Sequence, residues 1–180
     1  MRVIAGMMKG RNLFLPRKAD LRPTTDKVRE ALFNILSPDI LDASFLDLYA
    51  GSGAIGIEAI SRGASRVVFV EKDKKNILLI RKNLSLFSEI QPARIFEGTV
   101  ENFIKIEKES FDIAYIDPPY ENNDILSVLQ TLGGSDMIRA QGIAIIEHFH
   151  KRQLPTSFGA LLFLRQVRYG GTALSFYVKK

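Results

Sequence analysis

Residues 45 to 56 read FLDLYAGSGAIG, and this stretch decides the fold. Its first five residues are mostly apolar and predict a buried strand, whereas the residues from Ala54 onward predict a helix. Gly51, Gly53 and Gly56 match the pattern G-x-G-x-x-G. Glycines permit a tight turn between strand and helix, and they let a ligand approach the free backbone N–H groups at the helix start. The stretch therefore predicts a βα unit that binds a nucleotide.

From this unit to the end of the chain, short apolar runs alternate with helical patterns. We predict strands at residues 45–49, 66–71, 93–96, 111–116, 143–147, 161–168 and 173–178, and helices at residues 54–61, 74–87, 100–106 and 124–132. Strands that alternate with helices favour right-handed βαβ crossovers and a parallel sheet covered on both faces. The last two strands are joined through Gly170 and Gly171, which favours one antiparallel strand at or near an edge. The predicted fold class is therefore Rossmann-like α/β, with a mostly parallel sheet.

Basic residues are concentrated at the start of the chain. The 180 residues carry a formal net charge of +5. Residues 1–30 hold eight basic and three acidic residues, a difference of +5, so they carry the whole excess. A basic segment attached to a neutral domain indicates an arm that binds a polyanion. A solvated surface would show the same charges, so this interpretation depends on the motifs described below.

A helix is predicted directly after this arm. Thr24 and Thr25 can cap a helix that runs to about Leu36. The residues ahead of it predict a short, hairpin-like arm. We therefore divide the chain into a basic N-terminal arm and helix, residues 1–38, and a core domain, residues 39–180.

Composition excludes several kinds of chemistry. The chain has no cysteine, which excludes disulfides, cysteine-ligated zinc and a thiolate nucleophile. No apolar run reaches the roughly 18 to 20 residues of a membrane span, and the first residues lack the apolar stretch of a signal peptide. His148 and His150 form a conceivable metal pair, but no third ligand is evident nearby, so no metal is expected. We expect a cytoplasmic protein with no membrane partner.

Two acidic residues end the first two predicted strands. Asp47 can face the ammonium of a methionine moiety, whereas a carboxylate there would be unfavourable beside the pyrophosphate of a dinucleotide. Glu71 can accept hydrogen bonds from both hydroxyls of a ribose. An NAD enzyme would also carry an acidic residue at this position, so Glu71 indicates a ribose without choosing the cofactor. Asp47 favours S-adenosylmethionine.

The loop Asp117-Pro118-Pro119-Tyr120 directly follows the predicted strand at residues 111–116. Ligands of open α/β sheets bind at the carboxyl ends of strands, so this loop should lie beside the glycine loop. Asp117 and the Pro118 carbonyl can both accept hydrogen bonds from one –NH2 group. An exocyclic base amine held in this way has a lone pair that can be aimed at a methyl group. Tyr120 offers a face on which a flipped base can lie.

Three functions remain open at this point. The first is methylation of an exocyclic amine on guanine, adenine or cytosine, since each base presents an –NH2 group. The second is an NAD(P)-dependent oxidoreductase, which leaves the Asp117–Tyr120 loop and the basic arm unexplained. The third is an RNA-binding module on a degenerate methyltransferase fold.

Over nearly its whole length the chain resembles the RsmD family of 16S rRNA (guanine-N2) methyltransferases. The matching blocks are residues 2–6, 9–11, 22–34, 47–53, Glu71, 117–120 and 169–172. Most specific is the block RPTTDKVREALFN at residues 22–34, which generic Rossmann-type proteins lack. The resemblance implies a class I methyltransferase fold with a seven-stranded sheet and a small N-terminal extension. It also implies methyl transfer from S-adenosylmethionine to N2 of one guanine in 16S rRNA, within a small-subunit ribosomal particle and by a monomer.

The resemblance assigns roles to residues of this chain. The expected cofactor residues are Asp47, Tyr49, Gly51, Gly53, Glu71 and Thr99. The expected catalytic residues are Asp117, Pro118 and Tyr120. RNA contact is expected from Arg2, Lys9, Arg11, Arg22, Thr24 and Arg29, with active-site ordering as the other role for Arg22, Thr24 and Arg29. Thr99 stands where such enzymes often carry Asp or Asn for the adenine amino group, so the adenine contact is an open point.

Overall fold

The fold was established from a computed structural model of the chain, which describes residues 1–16, 25–87, 93–119 and 125–180. The helices are α1 Asp26–Leu36, α2 Ala54–Ser61, α3 Lys74–Leu84, α4 Val100–Ile106 and α5 Ile125–Gly134. The strands are β1 Ser44–Leu48, β2 Arg66–Glu71, β3 Ala93–Glu97, β4 Phe111–Ile116, β5 Ile138–Phe149, β6 Ser157–Phe158, β7 Leu161–Tyr169 and β8 Thr172–Lys179.

All strands lie in one sheet with the order β3-β2-β1-β4-β5-β8-β7-β6. Strands β1 to β5 are parallel, β8 is antiparallel to both β5 and β7, and β6 is antiparallel to β7. The chain moves outward from β1 to β3 and then crosses to β4 on the other side of β1. Between β1 and β4 lies the switch point at which open α/β sheets bind their ligands. The predicted α/β fold class is confirmed.

The strand count differs from the predicted seven. The eighth strand is β6, which has two residues and pairs with the start of β7. A segment of that length has no periodicity, so the sequence could not indicate it. Strand β5 also begins at Ile138, five residues before the predicted start. Residues 139–141 are all exposed, so this part of β5 lacks the alternation of apolar and polar residues that indicates a strand. The register with β4 also shifts between Phe111 and Ile113.

Alternate residues of the central strands pack on opposite faces of the sheet. One face carries Phe45, Phe69 and Ile145, which pack with apolar residues of α1, α2 and the N-terminal residues. The other face carries Leu46, Val68 and Ala144, which pack with α4 and α5. A parallel sheet buried on both faces is the arrangement expected for βαβ crossovers. No helix among the described residues is long and apolar enough to cross a membrane.

The first residues form a hairpin, here called the N-terminal hairpin (residues 1–13). Arg2 and Asn12 form an antiparallel bridge, and Val3 N–H donates to the Arg11 carbonyl at 2.9 Å. This confirms the hairpin-like arm for the described part of residues 1–20. Val3 and Met8 are buried against the first face of the sheet.

Thr25 caps α1, because its hydroxyl oxygen accepts a hydrogen bond from Val28 N–H at 3.3 Å. Capping at Thr25 was predicted, whereas Thr24 lies outside the described residues. The predicted start of the fifth helix at Asp124 also lies outside them. Helix α3 ends at Leu84 rather than at residue 87, and its chain continues into a short turn that Leu86 N–H closes on the Asn83 carbonyl.

Candidate active site

The glycine loop between β1 and α2 has the geometry that its sequence predicts. Gly51 and Gly53 have φ angles of 56° and 77°, and Gly53 is the N-cap residue of α2. These are left-handed conformations, which glycine adopts without steric cost. Gly56 is needed for a different reason, since a Cβ built on it would lie 2.2 Å from Cε1 of Phe69. Gly51 and Gly53 therefore form the turn, and Gly56 allows α2 to pack closely on β2.

Asp47 lies beneath this loop and is buried, with 1% of its surface exposed. Its Oδ2 accepts a hydrogen bond from Gly56 N–H at 2.9 Å. Burial raises the pKa of Asp47 well above its ordinary value, the Gly56 N–H opposes that shift, and the nearby charge of Glu71 adds to it. A buried carboxylate in this state gains from a positively charged ligand group, because the ligand would replace the lost hydration.

Glu71 ends β2 and holds the glycine loop in place. Its Oε2 accepts from Gly51 N–H at 2.8 Å, and its Oε1 accepts from the N–H groups of Lys72 and Asp73, both at 2.8 Å. Each carboxylate oxygen has two lone pairs, so hydroxyl donors can still be accommodated. Both acidic residues therefore fit a ligand that carries an ammonium group and a ribose.

The end of β3 forms the neighbouring wall. Gly98 N–H donates to the Glu71 carbonyl at 2.9 Å, which joins this loop to the end of β2. Thr99 is the N-cap of α4, where its Oγ1 accepts from Asn102 N–H at 3.2 Å. Capping accounts for a polar residue at this position. A contact from Thr99 to the cofactor adenine stays a prediction.

The second motif lies next to the glycine loop, as predicted from its place at the carboxyl end of a strand. Asp117 follows β4, and its N–H donates to the Leu48 carbonyl of β1 at 3.4 Å. Asp117 is half-buried, Pro118 is buried and Pro119 is exposed, whereas Tyr120 lies outside the described residues. Burial raises the pKa of Asp117 well above its ordinary value, and the charges of Glu147 and Asp47 raise it further. Asp47, Glu71 and Asp117 thus meet at the carboxyl ends of three neighbouring strands.

Glu147 near the end of β5 was not predicted as a site residue. It is buried, with 6% of its surface exposed, and it accepts a hydrogen bond from the Tyr115 hydroxyl. The sequence contains one signal that could have found it, since a glutamate in the last residues of a core strand is expected at the ligand edge of the sheet. Its nearness to Asp117 depends on β5 lying beside β4, which the sequence alone does not give.

A surface pocket opens at this place. It is lined by Pro118, Glu147, His148, Phe149, Lys151 and Arg152. Phe149 is 43% exposed and offers an aromatic face, and two basic residues stand at the rim. His148 turns away to the neighbouring strand, where its Nε2 lies 2.8 Å from the Ser175 hydroxyl. Within residues 1–16, 25–87, 93–119 and 125–180, no three histidine or acidic side chains group closely enough to hold a metal ion.

The residues expected to contact RNA fall into three groups. Arg2, Lys9 and Arg11 are exposed on the N-terminal hairpin, which leaves them available to a polyanion. Arg22 and Thr24 lie outside the described residues. Arg29 is fully buried in α1.

Buried Arg29 is engaged within the protein. Its Nη2 donates to the Arg2 carbonyl, and its Nε lies 3.7 Å from Oε2 of Glu58. Burial lowers the pKa of Arg29, and the charges of Glu58 and Asp26 oppose that shift. These contacts join α1 to the N-terminal hairpin and to α2, and the roles expected for Arg29, RNA contact or active-site ordering, stay predictions.

Asn83 on α3 connects the N-terminal segment with the glycine loop. Its side-chain amide is fully buried and donates to the Phe14 carbonyl at 3.1 Å and to the Ser52 carbonyl at 2.9 Å. Its Oδ1 accepts from Phe14 N–H at 2.8 Å. The residues that follow the hairpin are therefore tied directly to the loop expected to hold the cofactor, and sequence patterns gave no sign of this.

Known proteins match the chain over its whole length. The family described as conserved hypothetical protein 95 matches residues 1–178. "Putative rRNA methyltransferase YlbH" of Bacillus subtilis (strain 168) is 34% identical over 183 residues, which cover 100% of both chains. "Ribosomal RNA small subunit methyltransferase D" of Escherichia coli (strain K12) is 35% identical over 155 residues, which cover 86% of this chain and 78% of that protein.

A solved structure agrees with the fold. "Putative methyltransferase yhhF" from Escherichia coli superimposes with a TM-score of 0.90 at 32% sequence identity, covering 100% of this chain and 98% of the other. At that similarity the likeness extends to the whole arrangement of hairpin, sheet and helices. The chain belongs to the family described as conserved hypothetical protein 95, which is the RsmD family that its motifs resemble.

Proposed function

We propose that this protein transfers a methyl group from S-adenosylmethionine to the exocyclic N2 of one guanine in 16S rRNA. The observation that carries the proposal is the meeting of Asp117 and Pro118, after β4, with Asp47 at the end of β1. The first pair supplies two acceptors for an amine, and Asp47 supplies a buried negative charge for the ammonium of the cofactor.

The residues of the glycine loop fit the cofactor. Asp47 would hold the methionine ammonium, and Glu71 would accept the ribose hydroxyls. Gly51 has open space at its Cβ position and so allows close approach to the backbone, and Gly53 would support the same loop as the N-cap of α2. When bound, S-adenosylmethionine supplies an electrophilic methyl group on a sulfonium. Tyr49 directly follows β1, has a φ angle of 63° and is included in the proposed cofactor site.

The chemistry of the amine is assigned to the Asp117–Tyr120 loop. Asp117 and the Pro118 carbonyl accept the two N–H groups, which directs the nitrogen lone pair out of the base plane. Holding this geometry provides most of the rate enhancement. The nitrogen must lose one proton as its bond to the methyl carbon forms. Asp117 can take that proton, because its raised pKa makes it a stronger base than an ordinary carboxylate.

The substrate is proposed from the relatives and from the charge distribution. Proteins named as rRNA or ribosomal RNA small subunit methyltransferases align along most of the chain. Exposed Arg2, Lys9 and Arg11 provide a basic hairpin for RNA, and residues 1–38 are proposed as the RNA-contacting extension of a catalytic domain at residues 39–180. We further propose that the enzyme acts in the cytoplasm as a monomer on a small-subunit particle.

Mapping of methylated guanines in small-subunit rRNA, from cells with and without this gene, tests the proposal. One N2-methylguanosine should disappear when the gene is deleted and return when it is restored. Loss of an N6-methyladenosine or N4-methylcytidine instead would assign the enzyme to the other amino-methyltransferase class that the Asp117–Tyr120 loop allows.

A further inference from the structure

We propose that Glu147 recognises the target base as guanine by accepting a hydrogen bond from its ring N1–H. This inference rests on the proposed function, because it names the residue that selects guanine at the same site. It assigns to Glu147 a contact with the base edge, beside the acceptors that hold the amine.

The sheet register places Glu147 beside Asp117. Tyr115 of β4 pairs with Ile145 of β5, and Ile116 pairs with Ile146. The next residues on the two parallel strands are Asp117 and Glu147. Side chains at the same level of neighbouring parallel strands lie on the same face of a sheet, with the strands about 4.8 Å apart. Both carboxylates therefore lie on the same face, at the edge where the cofactor loop ends.

Tyr115 fixes the orientation of the Glu147 carboxylate. The Tyr115 hydroxyl donates to Oε2 of Glu147 from two residues before Asp117, on the same face of the sheet. Both Tyr115 and Glu147 are buried, with 1% and 6% of their surfaces exposed. The buried hydroxyl holds one oxygen of the carboxylate. The lone pairs of the other oxygen therefore point in a fixed direction.

The pocket at this edge has the features needed for an extruded base. Pro118 and Glu147 both line it, so an amine held by the Pro118 carbonyl would have its ring edge near Glu147. Phe149 lines the same pocket and is 43% exposed, which provides apolar surface against a base. Lys151 and Arg152 at the rim provide positive charge for the adjoining phosphates.

Base chemistry then decides which nucleotide this arrangement favours. In guanine the carbon that carries the exocyclic amine lies between N1–H, a donor, and N3, an acceptor, so a donor is present on one side of the amine. In adenine and cytosine the ring nitrogen next to the amine is an acceptor with a lone pair. A carboxylate beside that position attracts the first and repels the other two. Glu147 therefore supplies the discrimination among amino-bearing bases that the Asp117–Tyr120 loop lacks.

The base analogue 2-aminopurine tests this contact, because it keeps the amine at carbon 2 and has a lone pair in place of the N1 hydrogen. It also lacks the 6-oxygen, a loss that is the same for every variant, so the change in base preference between variants reports the contact at N1. Small-subunit particles would be reconstituted with rRNA carrying either guanine or 2-aminopurine at the mapped target position. Methyl transfer would be compared for the wild-type enzyme, Glu147→Gln and the exposed control Glu101→Gln. The thermal unfolding and S-adenosylhomocysteine binding of each variant would be recorded alongside.

The wild-type enzyme and Glu101→Gln should prefer guanine by about 10- to 100-fold, the range for one hydrogen bond to a charged group. In Glu147→Gln the Tyr115 hydroxyl should hold the amide oxygen, so the amide N–H points to the base edge. That variant should lose the preference or reverse it towards 2-aminopurine. Tyr115→Phe, which frees the carboxylate, should reduce the preference by a smaller factor.

Equal transfer to the two bases by the wild-type enzyme would overturn the inference while leaving guanine-N2 methylation intact. An unchanged preference in Glu147→Gln would also overturn it. If the wild-type enzyme methylates neither base in the reconstituted particle, the proposed function itself fails, and that result is distinct from the other two.

Discussion

Two regions of the molecule surround carboxylates with opposite kinds of neighbour. Glu58 of α2 is fully buried where the N-terminal hairpin docks, and it accepts from Ile4 N–H at 2.8 Å, Ala5 N–H at 3.0 Å and Arg62 Nε at 2.8 Å. Asp117, at the carboxyl edge of the sheet, has the negative charges of Glu147 and Asp47 as its electrostatic neighbours. The first region surrounds its carboxylate with donors, and the second groups carboxylates together.

This difference separates a structural role from a functional one. Donors on every side of a buried carboxylate stabilise its charge and fix the parts that they join. Carboxylates grouped with like charges raise the free energy of the folded protein, and a ligand that brings a positive charge or further donors lowers it. Such sites are typical of catalysis and binding. The edge formed by Asp47, Asp117 and Glu147 is therefore the region that gains most from cofactor and substrate.

Asp117→Ala should have the largest effect of the substitutions considered. We expect methyl transfer to fall by about a thousandfold, because one acceptor and the proton acceptor of the amine are lost. Binding of S-adenosylhomocysteine, measured by calorimetry, should be largely retained. The free energy of unfolding at neutral pH should not fall, since the substitution removes a charge whose pKa is raised by burial.

Asp136→Ala is the matched control, because Asp136 is exposed and follows α5. It should leave methyl transfer unchanged. If Asp117→Ala kept more than a tenth of the wild-type rate, Asp117 would have no catalytic role.

Glu58→Ala should have the opposite effect. Removing the carboxylate leaves Arg29 buried without that partner and frees the N–H groups of Ile4 and Ala5. We expect a loss of about 3 to 5 kcal/mol in the free energy of unfolding, measured by urea denaturation. The exposed Glu101→Ala should cost less than about 1 kcal/mol. A loss of cofactor affinity with unchanged stability would show that Glu58 belongs to the functional region instead.

Asp47→Asn tests the proposed contact between Asp47 and the methionine ammonium of the cofactor. The affinity for S-adenosylmethionine should fall by about 10- to 100-fold, because the contact of an ionised carboxylate with the methionine ammonium is lost. As a matched control ligand, 5′-methylthioadenosine lacks the amino acid part and should bind both proteins equally. An equal loss for the two ligands would mean that the substitution disturbs the loop rather than the ammonium contact.

The smallest expected effect is on the pH dependence of stability. Burial raises the folded-state pKa of Asp117 above the ordinary value of 3.8, so the folded protein binds this proton more tightly than the unfolded chain. The favourable contribution is complete below 3.8 and is lost as the pH rises from there through the raised pKa of the folded state.

Urea denaturation at a series of pH values should therefore show a steeper decline for the wild-type protein than for Asp117→Ala across this window. Asp136→Ala should follow the wild-type curve. Parallel curves for the wild type and Asp117→Ala would contradict the raised pKa of Asp117.

Much of the fold could be predicted because local patterns determine it. The bounds of α2 and α4 and those of β2 and β4 agree with the sequence predictions residue for residue. The helices α2 and α4 begin directly after their N-cap residues Gly53 and Thr99, and β2 and β4 are short apolar runs typical of buried strands. Strand β6 and the start of β5 were missed because short or exposed segments lack such a period.

The carboxylates of the two regions differ in the same way in how far the sequence predicts their roles. Asp47 and Asp117 could be predicted because Asp47 is the last but one residue of β1 and Asp117 directly follows β4, each within a recognisable motif. Glu58 could not, because it lies in the apolar helix AIGIEAIS and its backbone partners are 53 and 54 residues away in the chain. Glu147 needed the strand order β4-β5 before its position beside Asp117 was apparent. Local sequence patterns do not predict contacts between segments that are far apart in the chain.

The main proposal is that the enzyme methylates guanine N2 while the Asp117–Tyr120 loop holds the amine. It is tested most directly with purified enzyme, labelled S-adenosylmethionine and small-subunit particles from cells that lack the gene. After transfer, the rRNA is digested to nucleosides and the labelled product is identified. We predict N2-methylguanosine as the sole product of the wild-type protein and of Asp136→Ala, and almost none from Asp117→Ala. Labelled N6-methyladenosine or N4-methylcytidine, or an undiminished yield from Asp117→Ala, would contradict the account.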